Sequence, residues 1–358
     1  SICMLAVMTM VAAGNNLMTT RQIFDSLDTS GPAVELAQGN LAATPGEYAW
    51  NESYLLDAYV AMYEACGDTQ YLDRFVGRYR VLLTLRDDRT NTRDELNDRV
   101  MAAWSTTGYS KGRRTCWLVH AGMLTYSAAR FARLVKERNS LQARFGKTAA
   151  EFIAATEETV AAYDPDWREG PNPDEGYYIA KTLEDKHQPL NQQNALGRTL
   201  LDLAAATGKP AFRERAAKLA AFLKRRLRLR SDGAFDWAYW PPLQPPYDKG
   251  NEDISHAAIN VDFAVRCYQD GVIFNKADVQ RLAATFLQVV HKGDNRFADT
   301  VGGDPGEKFT AQIGRWGNLA IVDTRVAEVI HNYFRGRKHD PALKTNMLTL
   351  ATLAKYGY

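Results

Sequence analysis

The sequence predicts an all-α protein in which about six helical hairpins form an (α/α)-toroid, as either a complete or an incomplete ring. Apolar residues recur at helical spacing in paired segments that are separated by tight glycine turns, such as Gly67-Asp68 and Thr207–Pro210. No segment shows the sustained period-two alternation of a sheet strand. The pairs also repeat at steps of 69, 71, 65 and 62 residues, because their first helices are predicted to begin near Asn51, His120, Asn191, His256 and Asn318.

The chain before the first complete hairpin supplies most of a sixth one. Helical patterns are predicted near Thr20–Leu27 and Ala33–Gln38. The apolar stretch Ile2–Gly14 is too short to span a bilayer, and it is interpreted as a signal-sequence remnant or an N-terminal helix. The whole chain, 1–358, is predicted to be one toroidal catalytic domain. An exported protein, secreted or periplasmic, is expected.

Long connections follow each second helix and lead into the next first helix. In a closed ring they would all lie at one rim, where loops on a rigid scaffold build sites. The short segment Asp232–Trp237 is predicted to be a small strand or a turn. The predicted loops are Arg86–Thr115, Asp164–Leu190, Arg230–Ser255 and His291–Gly317.

Composition excludes several classes of function. The 358 residues carry 44 Lys and Arg against 42 Asp and Glu, so no strong basic field exists for nucleic acid. No stretch is long and apolar enough for a transmembrane helix, and no membrane partner is expected. The four cysteines form no CxxC pair, and no metal or cofactor is predicted. Aromatic residues make up 11%, as is common in sugar-binding clefts, although a large aromatic core would explain them equally.

Amide, imidazole, phenol and indole groups recur where the loops enter the first helices, where a purely structural repeat would favour Ser, Thr or Asp caps. The most informative group combines His187 with the run 191–194 (NQQN). Asn191 and Asn194 are three residues apart and share a helix face. Neutral amides at a cleft can hydrogen-bond a carboxylate. An ordinary Asn cap followed by a solvated Gln192 remains the alternative.

Two histidines and one tyrosine are candidates for proton transfer. His120 and His256 begin otherwise apolar helix faces at equivalent repeat positions, and neutral imidazole accepts protons near pH 7. Prolines stiffen the loop that carries Tyr247. Arg315 could lower the pKa of that phenol or anchor a carboxylate in bidentate fashion. Packing in the core or the loop would explain each of these residues without a function.

Carboxylates allow a second chemistry, glycoside hydrolysis, which needs two of them about 5 to 9.5 Å apart. Glu52, Glu252 and Asp253 are the candidates. Glu252 and Asp253 are adjacent and would point about 100° apart on a helix, so a helix-capping role is favoured for Asp253.

Several of these segments resemble the toroidal polysaccharide lyases, most closely polysaccharide lyase family 38 and more distantly the alginate lyases of family 5. The resemblance covers most of the chain in architecture. It rests on short motifs: the run 50–56 (WNESYLL), the run 119–123 (VHAGM) and the layout His187, Asn191, Asn194 and Tyr247. In family 5 an Asn-His pair precedes the catalytic Tyr by a little over fifty residues. Here Asn191 and Asn194 precede Tyr247 by 56 and 53, but no His directly follows either.

The resemblance implies cleavage of a uronic-acid polymer, alginate or glucuronan, by β-elimination, so the expected partner is an anionic polysaccharide. Asn191 or Asn194 would neutralise the carboxylate, and His187, His256 or Tyr247 would act as base and acid. A uronate C5-epimerase on the same toroid and a non-catalytic helical-repeat protein are the other hypotheses. The expected substrate-binding residues are Trp50, Asn51, Glu52, His120, Tyr178, Gln192, Tyr239, Arg315 and Trp316.

Overall fold

The computed structural model describes residues 19–28, 46, 48–340 and 343–358. The expectations for 2–14 and 33–38 therefore fall outside the described residues. In chain order the helices are α1 (Thr20–Leu27), α2 (Ser53–Cys66), α3 (Gln70–Thr84), α4 (Leu118–Glu137), α5 (Asn139–Ala161), α6 (Leu190–Thr207), α7 (Pro210–Arg226), α8 (Ile254–Gln269), α9 (Lys276–Ala284), a long 3₁₀ helix (Thr310–Ile321), α10 (Arg325–Phe334) and α11 (Lys344–Lys355).

Six inner elements form a closed ring, in the order α2, α4, α6, α8, the 3₁₀ helix and α11, and each packs against the next. The ring closes where α11 packs against α2, and Lys355 Nζ donates to Glu64 Oε2 at 3.2 Å across this contact. The predicted toroid is thereby confirmed, and its ring is closed; an open superhelix would have favoured the hypothesis of a non-catalytic helical-repeat protein.

An outer helix lies behind each inner element: α3, α5, α7, α9 and α10 follow theirs in sequence, and α1 packs against α11. The inner and outer helices differ in the fraction of their residues that is buried. Inner α4 has 17 of its 20 residues buried, whereas outer α5 has 9 of 23, on one face. An outer helix needs one apolar stripe, while an inner helix is covered on almost every side.

The sixth hairpin is made by both ends of the chain. Thr20–Leu27 forms α1 as the sequence predicts, but its inner partner is α11, which the sequence analysis did not identify. The fifth inner element also differs from the prediction, because it begins at Thr310 and not near Asn318. A Cβ on Gly314 would come within 1.9 Å of Thr349 Oγ1, so a glycine is needed where this 3₁₀ helix crosses α11.

Short helical segments and small antiparallel sheets occupy the connections. The predicted turn at 232–237 contains a two-residue strand that pairs with Arg228–Leu229. The strands are β1 (Arg93–Asp94) with β2 (Arg99–Val100), β3 (Ser105–Thr106) with β4 (Thr115–Cys116), β5 (Trp167–Glu169) with β6 (Gly176–Ala180) and β7 (Lys186–His187), and β8 (Arg228–Leu229) with β9 (Phe235–Asp236). The short helical segments are π-helical Tyr48–Glu52 and Thr285–Val290, α-helical Asp87–Thr90, and 3₁₀ Asp164–Asp166 and Lys181–Leu183.

None of the helices within the described ranges combines the length and the apolar character that crossing a membrane requires.

Candidate active site

A cavity of about 450 Å³ lies at the rim where the inner helices begin, within the usual size range of ligand pockets. It is built from the first turns of inner elements and from the loops that precede them, as the sequence predicts for this rim. Its lining residues are Trp50, Tyr54, Tyr109, Trp117, Val119, His120, Gln192, Tyr239, Ser255, His256 and Gln312.

A short polar contact at the cavity joins His256 to the cap of its own helix. Asp253 is the N-cap of α8, and its Oδ1 accepts the backbone N–H groups of Ser255 and His256 at 3.0 Å each. Its Oδ2 lies 2.6 Å from His256 Nδ1. Burial works against the Asp253 carboxylate, but the hydrogen bonds from His256 outweigh it and lower the pKa of Asp253. The predicted cap role of Asp253 is confirmed.

Tyr239 places a phenol beside this pair. Its ring centroid lies 5.3 Å from that of His256, and its hydroxyl accepts a 3.4 Å hydrogen bond from Gln192 Nε2. Two backbone contacts hold the loop: Tyr239 N donates to Asn251 Oδ1, and Tyr239 O accepts from Leu190 N at the start of α6. Burial raises the pKa of Tyr239 to about 12, so the phenol stays protonated at neutral pH.

His120 enters the same cavity from α4 but is only 3% exposed. Its ring lies edge-on to Trp50, with 5.4 Å between centroids, and 6.2 Å from Tyr109. Burial lowers the pKa of His120 to about 3, so its imidazole is neutral at physiological pH. Gly46 adopts a left-handed φ of 77° here, and a Cβ on it would approach Trp50 Cδ1 to 2.9 Å, which explains the need for glycine.

The cavity lining is uncharged apart from any proton on its histidines, since the described residues place no Asp, Glu, Lys or Arg on it. A positive charge lies directly behind it, because Arg315 Nη1 donates to Ser255 Oγ and to Gln312 Oε1, both at 3.3 Å. The N-termini of α4, α6 and α8 also lie at this rim, and helix N-termini favour negative charge. The cavity is therefore suited to an anionic or polar ligand with apolar faces.

The two predicted asparagines do not line the cavity. Asn194 donates to Asn260 Oδ1 at 2.7 Å, Asn260 donates to Glu252 Oε2 at 2.7 Å, and Trp237 Nε1 donates to that same oxygen. The side chains in this series of hydrogen bonds are buried, and burial raises the pKa of Glu252 well above its usual range. Asn191 is 1% exposed. The carboxylate-binding role predicted for Asn191 and Asn194 is thus not supported by their position.

His187 and Tyr247 also lie outside the lining. His187 Nε2 is 2.8 Å from Pro241 O, and its ring is 5.8 Å from that of Trp240. Tyr247 packs near Arg226, whose guanidinium carbon is 5.4 Å from the ring centroid. Neither residue is among those that line the cavity, so the geometry supports neither as the base or the acid.

Two residues beside Trp50 have structural contacts. Asn51 Oδ1 accepts the backbone N–H of Lys344 at 3.1 Å and so helps to hold the start of α11 at the ring closure. Glu52 is 6% exposed and forms a two-point ion pair with Arg78 at 2.7 and 2.8 Å. Their predicted contact with substrate is not supported, because neither lines the cavity.

Tyr178 and Trp316, which the sequence analysis placed against sugar rings, are fully buried. Tyr178 packs against Trp167, with 5.0 Å between ring centroids, and Trp316 Nε1 donates to Ile254 O at 2.9 Å. Of the fourteen predicted site residues, five line the cavity: Trp50, His120, Gln192, Tyr239 and His256.

Several lining residues were missed by the sequence analysis. Trp117 and Ser255 stand within three residues of the predicted helix starts, and Tyr54 lies one turn after Trp50, so a wider window around each start would have included them. Gln312 belongs to the 3₁₀ helix whose start was placed too late in the chain.

No known protein-family model matches the sequence, and no curated protein sequence matches it. Solved structures do match its fold. A protein from Listeria innocua has a TM-score of 0.57 at 11% identity, over 95% of this chain and 98% of its own. The α-1,6-mannanase of glycoside hydrolase family 76 from Salegentibacter sp. has a TM-score of 0.54 at 11% identity, over 86% and 89%. A sugar epimerase from a ruminal bacterium has a TM-score of 0.53 at 10% identity, over 87% and 88%. At these identities the likeness establishes the fold alone.

Proposed function

We propose that the protein is a polysaccharide lyase that cleaves a uronic-acid polymer, alginate or glucuronan, by β-elimination. The observation that carries the proposal is the His256–Asp253 pair, which shares one uncharged cavity with the phenol of Tyr239. The resemblance of short motifs to polysaccharide lyase family 38 points the same way. The fold, which a polysaccharide hydrolase and a sugar epimerase also have, supports the coarser statement that the protein is a carbohydrate-active enzyme.

His256 acts as the general base. Its Nδ1–H donates to Asp253, which fixes the tautomer and leaves the Nε2 lone pair for the proton on C5 of the uronate. The carboxylate of Asp253 then stabilises the imidazolium that forms. The C5–H electrons move into an enolate, and the C4–O4 bond breaks in the second half of the elimination.

Tyr239 acts as the general acid. A phenol with a pKa of about 12 keeps its proton at neutral pH, so it can donate to the departing O4 but is not a base. Its hydroxyl is held by Gln192 Nε2 at 3.4 Å. The acid role expected for Tyr247 thus passes to Tyr239, which belongs to the same loop and, unlike Tyr247, lines the cavity.

Uncharged donors and the field behind them stabilise the enolate. Gln192 and Gln312 line the cavity with amides, and the positive charge of Arg315 lies one hydrogen bond behind Gln312. Together with three helix N-termini, they favour the extra negative charge of the intermediate, which is the type of stabilisation that contributes most to such reactions. Trp50, Tyr109 and Trp117 offer ring faces to the sugar.

The geometry gives less support to a hydrolase, which needs two carboxylates at the scissile bond. Glu52 is paired with Arg78, Glu252 is buried against Trp237, and Asp253 is bound to His256. A uronate C5-epimerase is the second candidate, because two histidines, His120 and His256, line the same cavity and both contact Trp50.

A panel of uronic-acid polymers tests the proposal. A lyase produces an unsaturated uronate at each new non-reducing end, and its ultraviolet absorbance should rise with alginate or glucuronan. New reducing ends without that absorbance would replace the proposal with a hydrolase. Deuterium from solvent at C5 without chain cleavage would replace it with an epimerase.

A further inference from the structure

A second, much smaller cavity of about 30 Å³ lies between the inner helices. It shares Tyr54 with the larger cavity, and its volume is enough for about one or two water molecules or one small ion. We call it the axial cavity. The charged residues that line it are Asp57, Arg130, Arg198, Asp262, Arg315 and Lys355.

The carboxylates at the axial cavity already have cationic partners. Arg130 pairs with both Asp57 and Glu64, and Lys355 also reaches Glu64, at 3.2 Å. Arg130 is buried, whereas Asp57, Glu64 and Lys355 are partly buried, so solvent screens these charges less than it does at the surface.

The second carboxylate that lines the axial cavity, that of Asp262, also has hydrogen-bond partners on both oxygens. Asp262 Oδ2 accepts from Arg198 Nη1 at 2.9 Å, and its Oδ1 accepts from Asn318 Nδ2 at 2.9 Å. Four cations therefore line the axial cavity, whereas only two carboxylates line it and a third, Glu64, lies beside it.

Among the described residues, Arg315 is the one of these four cations that makes no direct ion pair. It is 8% exposed, and among the described residues no carboxylate lies within ion-pair distance of it. Its contacts are neutral: Ser255 Oγ, Gln312 Oε1 and the ring of Tyr54, 4.8 Å from the guanidinium carbon. Burial lowers the pKa of Arg315, because the loss of water outweighs the attraction of the nearby carboxylates Asp262 and Asp253. Guanidinium nevertheless keeps its proton in proteins, so a buried positive charge without a direct ion pair remains.

A donor without an acceptor lies next to it. Arg198 Nε is buried and has no hydrogen-bond partner in the part of the chain that the structure describes, while its Nη2 contacts the weak acceptor Met123 Sδ at 3.0 Å. A buried donor that lacks a partner is unfavourable. The axial cavity thus combines an unpaired buried cation, a free N–H group and room for a small ion.

We propose that the axial cavity binds a small inorganic monovalent anion, of which chloride is the most available, between Arg315 and Arg198. The anion neutralises Arg315 and accepts the free Nε–H of Arg198. A uronate ring does not fit into 30 Å³, so this site is distinct from the substrate cavity. By holding Arg315, the anion also fixes Ser255 and Gln312, which accept hydrogen bonds from it and line the substrate cavity.

Thermal unfolding without substrate tests the proposal. The full chain is dialysed into sodium isethionate, whose anion is too large for the site and is not a sugar acid, and titrated with sodium chloride at constant ionic strength. The Tm should rise with chloride, and above the dissociation constant each tenfold increase should add a similar increment. In Arg315→Gln this chloride-specific rise should disappear. Arg144→Gln is the matched control, because it removes an exposed arginine that pairs with Asp73, and it should keep the rise.

Bromide gives a second, independent measurement on the unmodified protein. Crystals grown in sodium bromide should show an anomalous peak in the axial cavity, close to Arg315 and Arg198. Equal Tm values in chloride and isethionate, a full chloride response in Arg315→Gln, or bromide crystals without that peak would each overturn the proposal. Since no assay here uses a polysaccharide, failure of the lyase proposal would leave these results unaffected.

Discussion

Asp253 and His256 stand three residues apart, and Asp253 Oδ2 accepts from His256 Nδ1 across 2.6 Å. The same carboxylate caps α8 through its other oxygen. The cap fixes the carboxylate, and the carboxylate fixes the imidazole, so the orientation of the proposed base is set by the first turn of one helix.

Replacing Asp253 with Asn separates these two roles. Asn caps helices as well as Asp does, so the free energy of unfolding should change little. The imidazolium would lose its anionic partner, and the turnover number should fall, although by less than the roughly 10²–10⁴-fold expected for His256→Ala. Initial rates and thermal unfolding of both variants measure this. Asp278→Asn, which alters a cap on outer α9, is the control and should retain activity. An Asp253→Asn enzyme as active as the parent would exclude the orienting role.

Tyr239→Phe should lower the rate by about 10²–10⁴-fold with the fold retained, because only the proton donor is removed. Tyr247→Phe is the matched control from the same loop, and it should keep most of the activity. Since the pKa of Tyr239 is about 12, activity should show no loss from its ionisation below about pH 11. The reverse ranking of the two variants would return the acid role to Tyr247.

The fold could be predicted because helical periodicity and glycine turns are local signals. Two features could not be predicted, because both depend on contacts between distant parts of the chain: the start of the 3₁₀ helix Thr310–Ile321 and the pairing of α1 with α11. Within the site, the sequence located the helix starts but not the direction of each side chain. Successive residues on a helix are rotated by about 100° about its axis. Gln192 therefore faces the cavity, while Asn194, two residues further on, faces the interior and donates a hydrogen bond to buried Asn260.

In the loop between α7 and α8, the orientation of side chains could not be predicted from the sequence either. It carries Tyr239 and Tyr247, and its path has no period from which orientation could be inferred. A stiffening Pro-Pro pair favoured Tyr247 in the sequence, whereas the backbone contacts of Tyr239 with Asn251 and Leu190 determine which tyrosine reaches the cavity.

His120 should make the stability of the protein depend on pH. Its pKa of about 3 in the folded state lies below the ordinary value near 6.5, so between these values the unfolded state binds more protons. The contribution of neutral His120 to the free energy of unfolding should be fully present above about pH 6.5. It should decrease as the pH falls, by up to about 5 kcal/mol near pH 3. Urea unfolding from pH 8 to pH 4 should therefore show a steeper acid loss in the parent than in His120→Gln. Parallel curves would show that His120 is not buried in its neutral form.

Glu52→Gln should affect folding more than chemistry. It leaves the buried guanidinium of Arg78 without its carboxylate, and breaking such a pair costs about 3–5 kcal/mol. The folded fraction should nevertheless retain its turnover number, because Glu52 does not line the cavity. Denaturant unfolding and activity per folded molecule separate the two effects. A variant of normal stability but without activity would make Glu52 a substrate-binding or catalytic group.

Gly122→Ala should destabilise the inner ring. Gly122 lies where α4 crosses α6, and a Cβ there would come within 2.3 Å of Leu196 N and 2.5 Å of Ala195 C. These are backbone atoms, which a rotamer change cannot move, so the two helices must separate at a cost of about 1–3 kcal/mol or more. Gly77→Ala is the matched control, because it lies exposed on α3 with open space around its Cβ, and it should stabilise the protein by about 0.5–1 kcal/mol. Denaturant midpoints of the two variants should therefore shift in opposite directions, and a neutral Gly122→Ala would mean that α4 and α6 do not pack this closely.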